Sequence, residues 1–334
     1  AWRAGLTFAG RPTWALSVCA PTAGRIAPPQ KLSAWRPTLL VNARHHANEI
    51  SSTNSILKLA ELVAANPEWT RRVNLVLSPL ENADGAAVHY AMQAEHPNWK
   101  LHAARFNAAG VDFNFDWFAP QPRFGESRTL PTLWRACLPD VVLDDHGYPS
   151  HEWVQPFSGY SSAPYFKTSW WMPNALIYGI HRWMDSERYP AHARAQEALR
   201  DAMADRFAAN PEIRDRSRVM LDRYTTYGMR YVPHKFPLQL HHGMVSMTGK
   251  VADGPDARTF VGRFPLITAT ELITEVSDET AQGEYLAMCA RAHLEGDLAV
   301  LDFLSSHPQP VERRWSQQGD RVLWTVGRER PLRV

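Results

Sequence analysis

A single α/β domain, with a mixed and mostly parallel central sheet and helices on both faces, is the fold class that this sequence predicts. Three observations predict it. Apolar runs at residues 38–43 (TLLVNA), 72–80 (RVNLVLSPL) and 140–144 (DVVLD) do not alternate in and out, so each reads as a strand buried on both faces. Ile56, Leu57, Leu59, Ala60, Leu62 and Val63 recur at helical spacing between the first two runs, which makes residues 38–80 a βαβ unit. The chain's 334 residues, 45% hydrophobic and 21% charged, suffice for one large core in an ordinary globular protein.

Taken in order, residues 1–18 predict a hairpin turning near Gly10-Arg11-Pro12, and residues 20–37 a surface loop. Ser51, Ser52 and Thr53 are candidate N-caps for a helix that Asn66-Pro67 ends. Asn82-Ala83-Asp84-Gly85 carries turn chemistry, with Glu81 and Asp84 as turn and capping residues. Residues 111–114 read as a short strand or loop, and 116–132 as a proline-containing loop. Residues 148–174, dense in aromatics and proline, predict a long loop lining a pocket. Residues 175–208 carry helical patterns broken at Tyr189-Pro190; 265–272 (PLITATEL) predict a strand; 279–304 predict an amphipathic helix; 321–326 predict one more strand. The predicted domain spans residues 1–304, with 305–334 as a C-terminal extension.

Composition excludes several classes. A formal net charge of +2 points to neither nucleic acid nor an anionic membrane as partner. Three cysteines, Cys19, Cys137 and Cys289, lie too far apart for a zinc knuckle and form no disulfide framework, so they read as core filler. No apolar run reaches the roughly 18 residues of a membrane span. The lack of a visible signal peptide favours a cytoplasmic location, while the start at Ala1 leaves open a removed leader or upstream segment. Composition does not fix the oligomeric state.

The chemistry concentrates where strands end. His46 and Glu49 follow the first buried strand, and His146 follows the third, in Asp145-His146-Gly147. In open α/β sheets this edge binds ligands. Two imidazoles and one carboxylate make an open zinc site, with a fourth position left for water. By spacing alone H-x-x-E is a common accident, and a surface or core histidine beside a glutamate is the plainer reading; strand-end placement and the second histidine tip the balance.

The motifs then fall in one order. Residues 5–12 (GLTFAGRP), His46-Ala47-Asn48-Glu49, Asn82-Ala83-Asp84-Gly85, Gly110-Val111-Asp112-Phe113-Asn114, Asp145-His146-Gly147 and Thr270-Glu271-Leu272 together resemble the zinc metallocarboxypeptidase family, the carboxypeptidase A-like peptidases, over roughly residues 5–304. The resemblance implies one zinc ion on His46, Glu49 and His146. It implies Glu271 as the general base, with Glu275, four positions on and so on the same strand face, as the fallback. Arg105 would steady the oxyanion, and Asn114 would contact a substrate carboxylate. His45 would be the ligand if the register shifted; H-x-x-E spacing favours His46, which leaves His45 as a pocket or supporting residue, and His151, His241 and His242 read as loop or core histidines.

One departure bears on specificity. Phe115 stands where the family places an arginine that grips the substrate's terminal carboxylate, and a phenyl ring makes no bidentate pair. Arg123, Arg128, Arg230 and Arg263 are candidate replacements. The family's mobile tyrosine has no clear match; Tyr224, Tyr227 and Tyr231 are the nearest. The expected function is zinc-dependent hydrolysis of a peptide bond. Phe115 motivates a runner-up, an amidase or deacylase acting on N-acyl amino acids or cell-wall stem peptides. A non-catalytic peptide-binding module is the alternative from another class; tight zinc and peptide binding without turnover would distinguish it.

Overall fold

The computed structural model describes residues 1–21, 29–99, 101–148, 174–227 and 238–334. The chain opens with the expected hairpin, β1 (Trp2–Leu6) and β2 (Pro12–Val18). A short helix, α1 (Pro29–Ser33), interrupts the stretch expected to be loop. β3 (Thr38–Ala43) is buried throughout and leads to α2 (Ser51–Ala65). None of the three candidate caps caps α2; instead the Asp278 carboxylate, far along the chain, accepts the Ser51 amide at 2.7 Å and its hydroxyl at 2.6 Å. Asn66-Pro67 ends α2 and also starts a helix: Asn66 caps α3 (Pro67–Arg72), with Pro67 in its first turn. β4 (Asn74–Ser78) comes next.

Asn82 likewise acts as a helix cap rather than a turn residue. Its side chain accepts the Gly85 amide at 2.8 Å and begins α4 (Ala83–Glu95). α5 (Thr129–Cys137) precedes β5 (Val141–Gly147), which runs three residues beyond the predicted end and includes His146. Residues 149–173 of the loop predicted over 148–174 lie outside the described residues.

The helix expected over 175–208 begins only at Pro190. Residues 177–183 form a strand, β6 (Ile177–Trp183), and α6 (Pro190–Ala209) takes Pro190 as its first residue. The apolar, aromatic stretch IYGIHRW suits a strand flanked by neighbours on both sides better than a helix. α7 (Pro211–Thr226), β7 (Leu240–His241), β8 (Met244–Lys250) and the short α8 (Phe260–Arg263) continue the chain. The strand expected at 265–272 is shifted: β9 spans Thr270–Val276, because residues 264–268 close a turn in which the Thr268 amide donates to Phe264 O at 3.0 Å. α9 (Gly283–Ser306) is the amphipathic helix. The tail forms a ribbon, β10 (Val311–Gln318) and β11 (Arg321–Arg328), tied back by the fully buried Arg328–Asp140 pair.

Nine strands form one sheet in the order β1-β2-β4-β3-β5-β9-β6-β8-β7. The middle four, β4-β3-β5-β9, are parallel, and antiparallel pairs flank them. Alternation along each strand divides the sheet into two faces. Leu39, Val41, Leu143 and Leu272 pack towards α2, α6 and α9 in the larger core. Leu40 and Val142 pack towards α5 with Leu130, Leu133 and Trp134. Helices thus cover both faces, which is why the central strands are apolar without alternation.

Beyond the end of α5 that second face becomes polar. The β5/β9 register pairs Val142 with Glu271, Asp144 with Ile273, and His146 with Glu275. On the other side of β9, Tyr178 pairs with Glu275 and Ile180 with Ile273. One further step of that register sets Arg182 across from Glu271. Three rungs therefore climb the sheet: Val142–Glu271–Arg182, Asp144–Ile273–Ile180 and His146–Glu275–Tyr178. At about 3.3 Å per residue, the first and last lie roughly 13 Å apart.

Candidate active site

β3 ends in an unusual turn. Arg44 takes a left-handed backbone (φ 53°), uncommon for a non-glycine residue, and its guanidinium Nε donates to Ala47 O at 3.1 Å. The turn folds residues 45–49 back over the strand ends, where His45, His46 and Glu49 are all buried. Gly147 meets them from β5: its amide donates to Glu49 Oε2 at 2.9 Å, and a side chain there would collide with Asp278 and Glu49.

His46, Glu49 and His146 come together. The Nδ1 atoms of His46 and His146 lie 3.0 Å apart, and Glu49 reaches both, Oε1 at 2.8 Å from the first and Oε2 at 3.1 Å from the second. Each outer ring nitrogen faces a different carboxylate: His46 Nε2 lies 3.3 Å from Asp112 Oδ2, and His146 Nε2 2.9 Å from Asp144 Oδ2. Such backing fixes the tautomer and ring orientation of a metal-ligating histidine, leaving Nδ1 as the donor atom. Three converging donors, two imidazoles and a carboxylate, fit a zinc ion with an open position.

The surroundings obey the same logic. His45 does not join the cluster; its Nδ1 lies 2.9 Å from Glu81 Oε2 and its Nε2 3.1 Å from Asp112 Oδ1. Burial opposes charge on His45, but Glu81 and Asp112 outweigh it and push its pKa up to about 9. Burial would raise Glu49, yet His46 and His146 hold it well below the usual carboxylate range. Arg105 donates from Nη1 to Glu49 Oε1 at 3.0 Å and approaches Asp112 at 3.8 Å. Asp84, expected to cap a turn, instead ties the opening hairpin down by accepting Thr7 Oγ1 at 2.7 Å and Arg11 Nη1 at 2.8 Å.

A cavity of about 350 Å³ opens from this cluster along the polar sheet face. His46, His146 and Glu275 line one end, and Arg182 and Glu271 the other; Asn114 and Phe115 also border it, the phenyl ring 71% exposed. The two glutamates therefore occupy different places. Glu275 lies opposite His146, and burial first, then Glu49 and Asp278, raise it to about 8 against the opposing pull of His146 and Arg105. Glu271 lies two rungs away, where Oε2 accepts the Val261 amide at 3.0 Å; burial raises it to about 7, against the pull of Arg182 and the backbone donors.

None of the described arginines named as replacements for the missing one enters this cavity. Arg123 is largely exposed beside Asp116, Arg128 donates to Pro122 O, and Arg263 packs over Phe118; Arg230 and Tyr231 lie outside the described residues. The cavity arginines are Arg182 and Arg258, which sequence reasoning missed. It also missed Asp112 and Asp144 as histidine partners, although an aspartate two positions before a strand histidine shares its face and was visible in Asp144-Asp145-His146. Tyr224 is buried in α7 and does not line the cavity.

An α/β fold with an open histidine–glutamate–histidine cluster at its strand ends defines the class of protein. A family model described as zinc carboxypeptidase matches residues 2–162. The fold is similar to a metallo-carboxypeptidase from Burkholderia cenocepacia (16% identity, TM-score 0.52, covering 91% of this chain and 64% of that one). It is also similar to a metallo-carboxypeptidase from Pseudomonas aeruginosa in complex with (2-guanidinoethylmercapto)succinic acid (19% identity, TM-score 0.51, 90% and 64%). The chain thus spans a little under two thirds of those structures' length. No curated protein sequence matches it. The family match covers a little under half of the chain, and the structural likeness extends the shared fold over most of the rest. Among the described residues no helix is long and apolar enough to cross a membrane.

Proposed function

We propose that the protein is a zinc-dependent hydrolase of a peptide (amide) bond, with one zinc ion held by His46, Glu49 and His146. The observation that carries this reading is the single rung on which His146 and Glu275 face each other beside His46 and Glu49, at the mouth of a cavity. Zinc bound there would supply a Lewis acid for the scissile carbonyl and lower the pKa of a water towards ~7.

The chain's own residues do the rest. Glu275, rather than Glu271, is the base: it takes a proton from the attacking water and passes it to the leaving amine nitrogen. A carboxyl raised to about 8 in a buried site is matched to both transfers near neutral pH. Glu271 accepts a backbone amide two rungs deeper, roughly 13 Å along the sheet, and is better suited to shaping the cavity. Arg105, fixed on Glu49, brings positive charge to the rung where the oxyanion develops and orients that ligand. Asp112 and Asp144 hold the two imidazoles in the tautomer that presents Nδ1. Asn114 and Phe115 border the substrate.

The expected substrates are peptides or N-acyl amino acids. The exposed Phe115 supports the second reading, a deacylase or amidase that does not require an ordinary free C-terminus. The test is metal analysis with hydrolysis of peptides bearing free or amidated C-termini and of N-acyl amino acids, before and after chelation and zinc return. Zinc-dependent cleavage is expected. A zinc-loaded protein that binds these compounds and cleaves none would overturn the hydrolase and favour a binding module.

A further inference from the structure

We infer that Arg182 is the residue that receives a carboxylate of the substrate's leaving-group residue, in place of the arginine missing at Phe115. The inference rests on the hydrolase reading above and adds a specificity determinant to it.

Arg182 lies on β6, which neither the sequence motifs nor the matched segment includes. Cross-strand register puts its side chain on the polar face, two rungs from the His146–Glu275 rung, and it lines the same cavity. Its buried Nε has no hydrogen-bond partner among the described residues. Among the described residues it makes no ion pair; Glu271, its cross-strand neighbour, is instead engaged with the Val261 amide. A buried guanidinium donor left without an acceptor is costly, and an incoming anion would recover that cost. Arginine's planar fork suits a carboxylate, with two parallel donors.

Room is present as well. Gly249, the register partner of Arg182 on β8, contributes no side chain, and even an added Cβ there would only touch Arg182 Nη1 at 3.9 Å. The remaining carboxylates are otherwise occupied: Asp144 is bonded to His146 and Asn42, and Glu271, raised to about 7, can carry a proton near neutral pH. Arg258 adds positive charge at the rim, its guanidinium 5.8 Å from the Phe115 ring centroid.

The carboxylate could be the terminal one or one on a side chain, and four zinc-assay substrates separate them: N-acetyl-Ala-Ala, N-acetyl-Ala-Glu and their C-terminal amides. In the full-length, zinc-loaded protein, Arg182→Gln should cut the acid-over-amide preference in kcat/KM at least tenfold if the terminal carboxylate is bound. It should cut the Glu-over-Ala preference by that factor if the side chain is bound. The loss should sit mainly in KM, Arg182→Lys should restore part of it, and zinc content and thermal melting should stay as in the parent. Unchanged preferences in a folded, active Arg182→Gln would overturn the inference. If the parent cleaves none of the four, the hydrolase reading fails instead. Calorimetric titration with N-acetylglutamate then decides: tenfold weaker binding to Arg182→Gln supports the carboxylate site, and equal binding overturns it.

Discussion

Among the described residues three groups of histidines and carboxylates bring their side-chain atoms close enough to share a cation; one, His45, His46 and Asp112, adjoins the candidate zinc site through His46, and the two that stand apart differ in almost everything else. His46, Glu49 and His146 are buried at the ends of adjacent parallel strands. Asp201, His241 and His242 sit between α6 and β7, partly or largely exposed. There His241 Nε2 lies 2.5 Å from Asp201 and His242 Nδ1 2.6 Å from Asp205, with the two rings stacked at 4.2 Å. Water solvates the outer group, and exposed contacts of this kind are worth about 0–1 kcal/mol. The inner group has lost its water, and several kcal/mol per ion must be recovered from fixed partners. Proximity alone does not single out a reactive centre; depth, and a cavity leading to it, do.

The largest expected effects test the inner group. His146→Ala should abolish stoichiometric zinc and bring hydrolysis to background, measured by metal analysis and peptide turnover. Retained zinc with full activity would move the centre elsewhere, the outer group included. Next comes the base: Glu275→Gln should lower kcat by about 10²–10⁴-fold with zinc retained, while Glu271→Gln should change kcat by less than about tenfold. The reverse pattern would restore Glu271 to the role that its motif suggests. Asp112→Asn, which removes the support behind His46, should weaken zinc binding by about 10–100-fold in a competition titration.

The sequence carried the inner group well and the rest of the cavity poorly, for a physical reason. His46, Glu49 and His146 are close to strand ends that apolar runs announce, so their convergence follows from a parallel sheet. Glu271 and Glu275 share a strand face, and only register tells which one meets His146; the apolar run at 265–272 pointed to a strand that in fact starts at Thr270. β6 was read as helix because alternation in a strand buried on both faces is faint, and Arg182 was lost with it. The outer pairs join residues about 40 apart across α6 and β7, a spacing without a local signature. Asn66 and Asn82 show a smaller error: turn chemistry and helix-cap chemistry use the same side chain, and the conformation of the next few residues decides between them.

His181 sharpens the comparison from the other side. It is buried on the face of β6 opposite Arg182, without a carboxylate partner among the described residues, and burial first, then the charges of Arg200 and His241, lower its pKa to about 3. In the unfolded chain a histidine titrates near ~6.5. Below that pH the unfolded state takes up a proton that the fold refuses, so stability falls with acidification through the window from ~6.5 down to about 3. At pH 5 the difference is about 2 kcal/mol, from 1.36 kcal/mol per unit. Urea unfolding of His181→Asn should therefore show a loss between pH 7.5 and 5 smaller by about that amount. The same slope in variant and parent would mean that His181 is solvated or paired in the fold.

The smallest effect is expected at the outer group, and it is the sharpest check on whether depth is the right criterion. Asp201→Ala removes the partner of His241 and, among the described residues, the carboxylate within reach of both stacked rings. Because Asp201 and His242 are each more than 40% exposed, water replaces the lost contacts. The stability change should stay within about 1 kcal/mol, as for other surface pairs. Zinc stoichiometry and turnover should be those of the parent, since no residue of this group lines the cavity of the inner one. A variant that binds one zinc fewer than the parent would show that solvated side chains here hold a second ion. In that case proximity, and not burial, would be the better guide to metal binding in this fold.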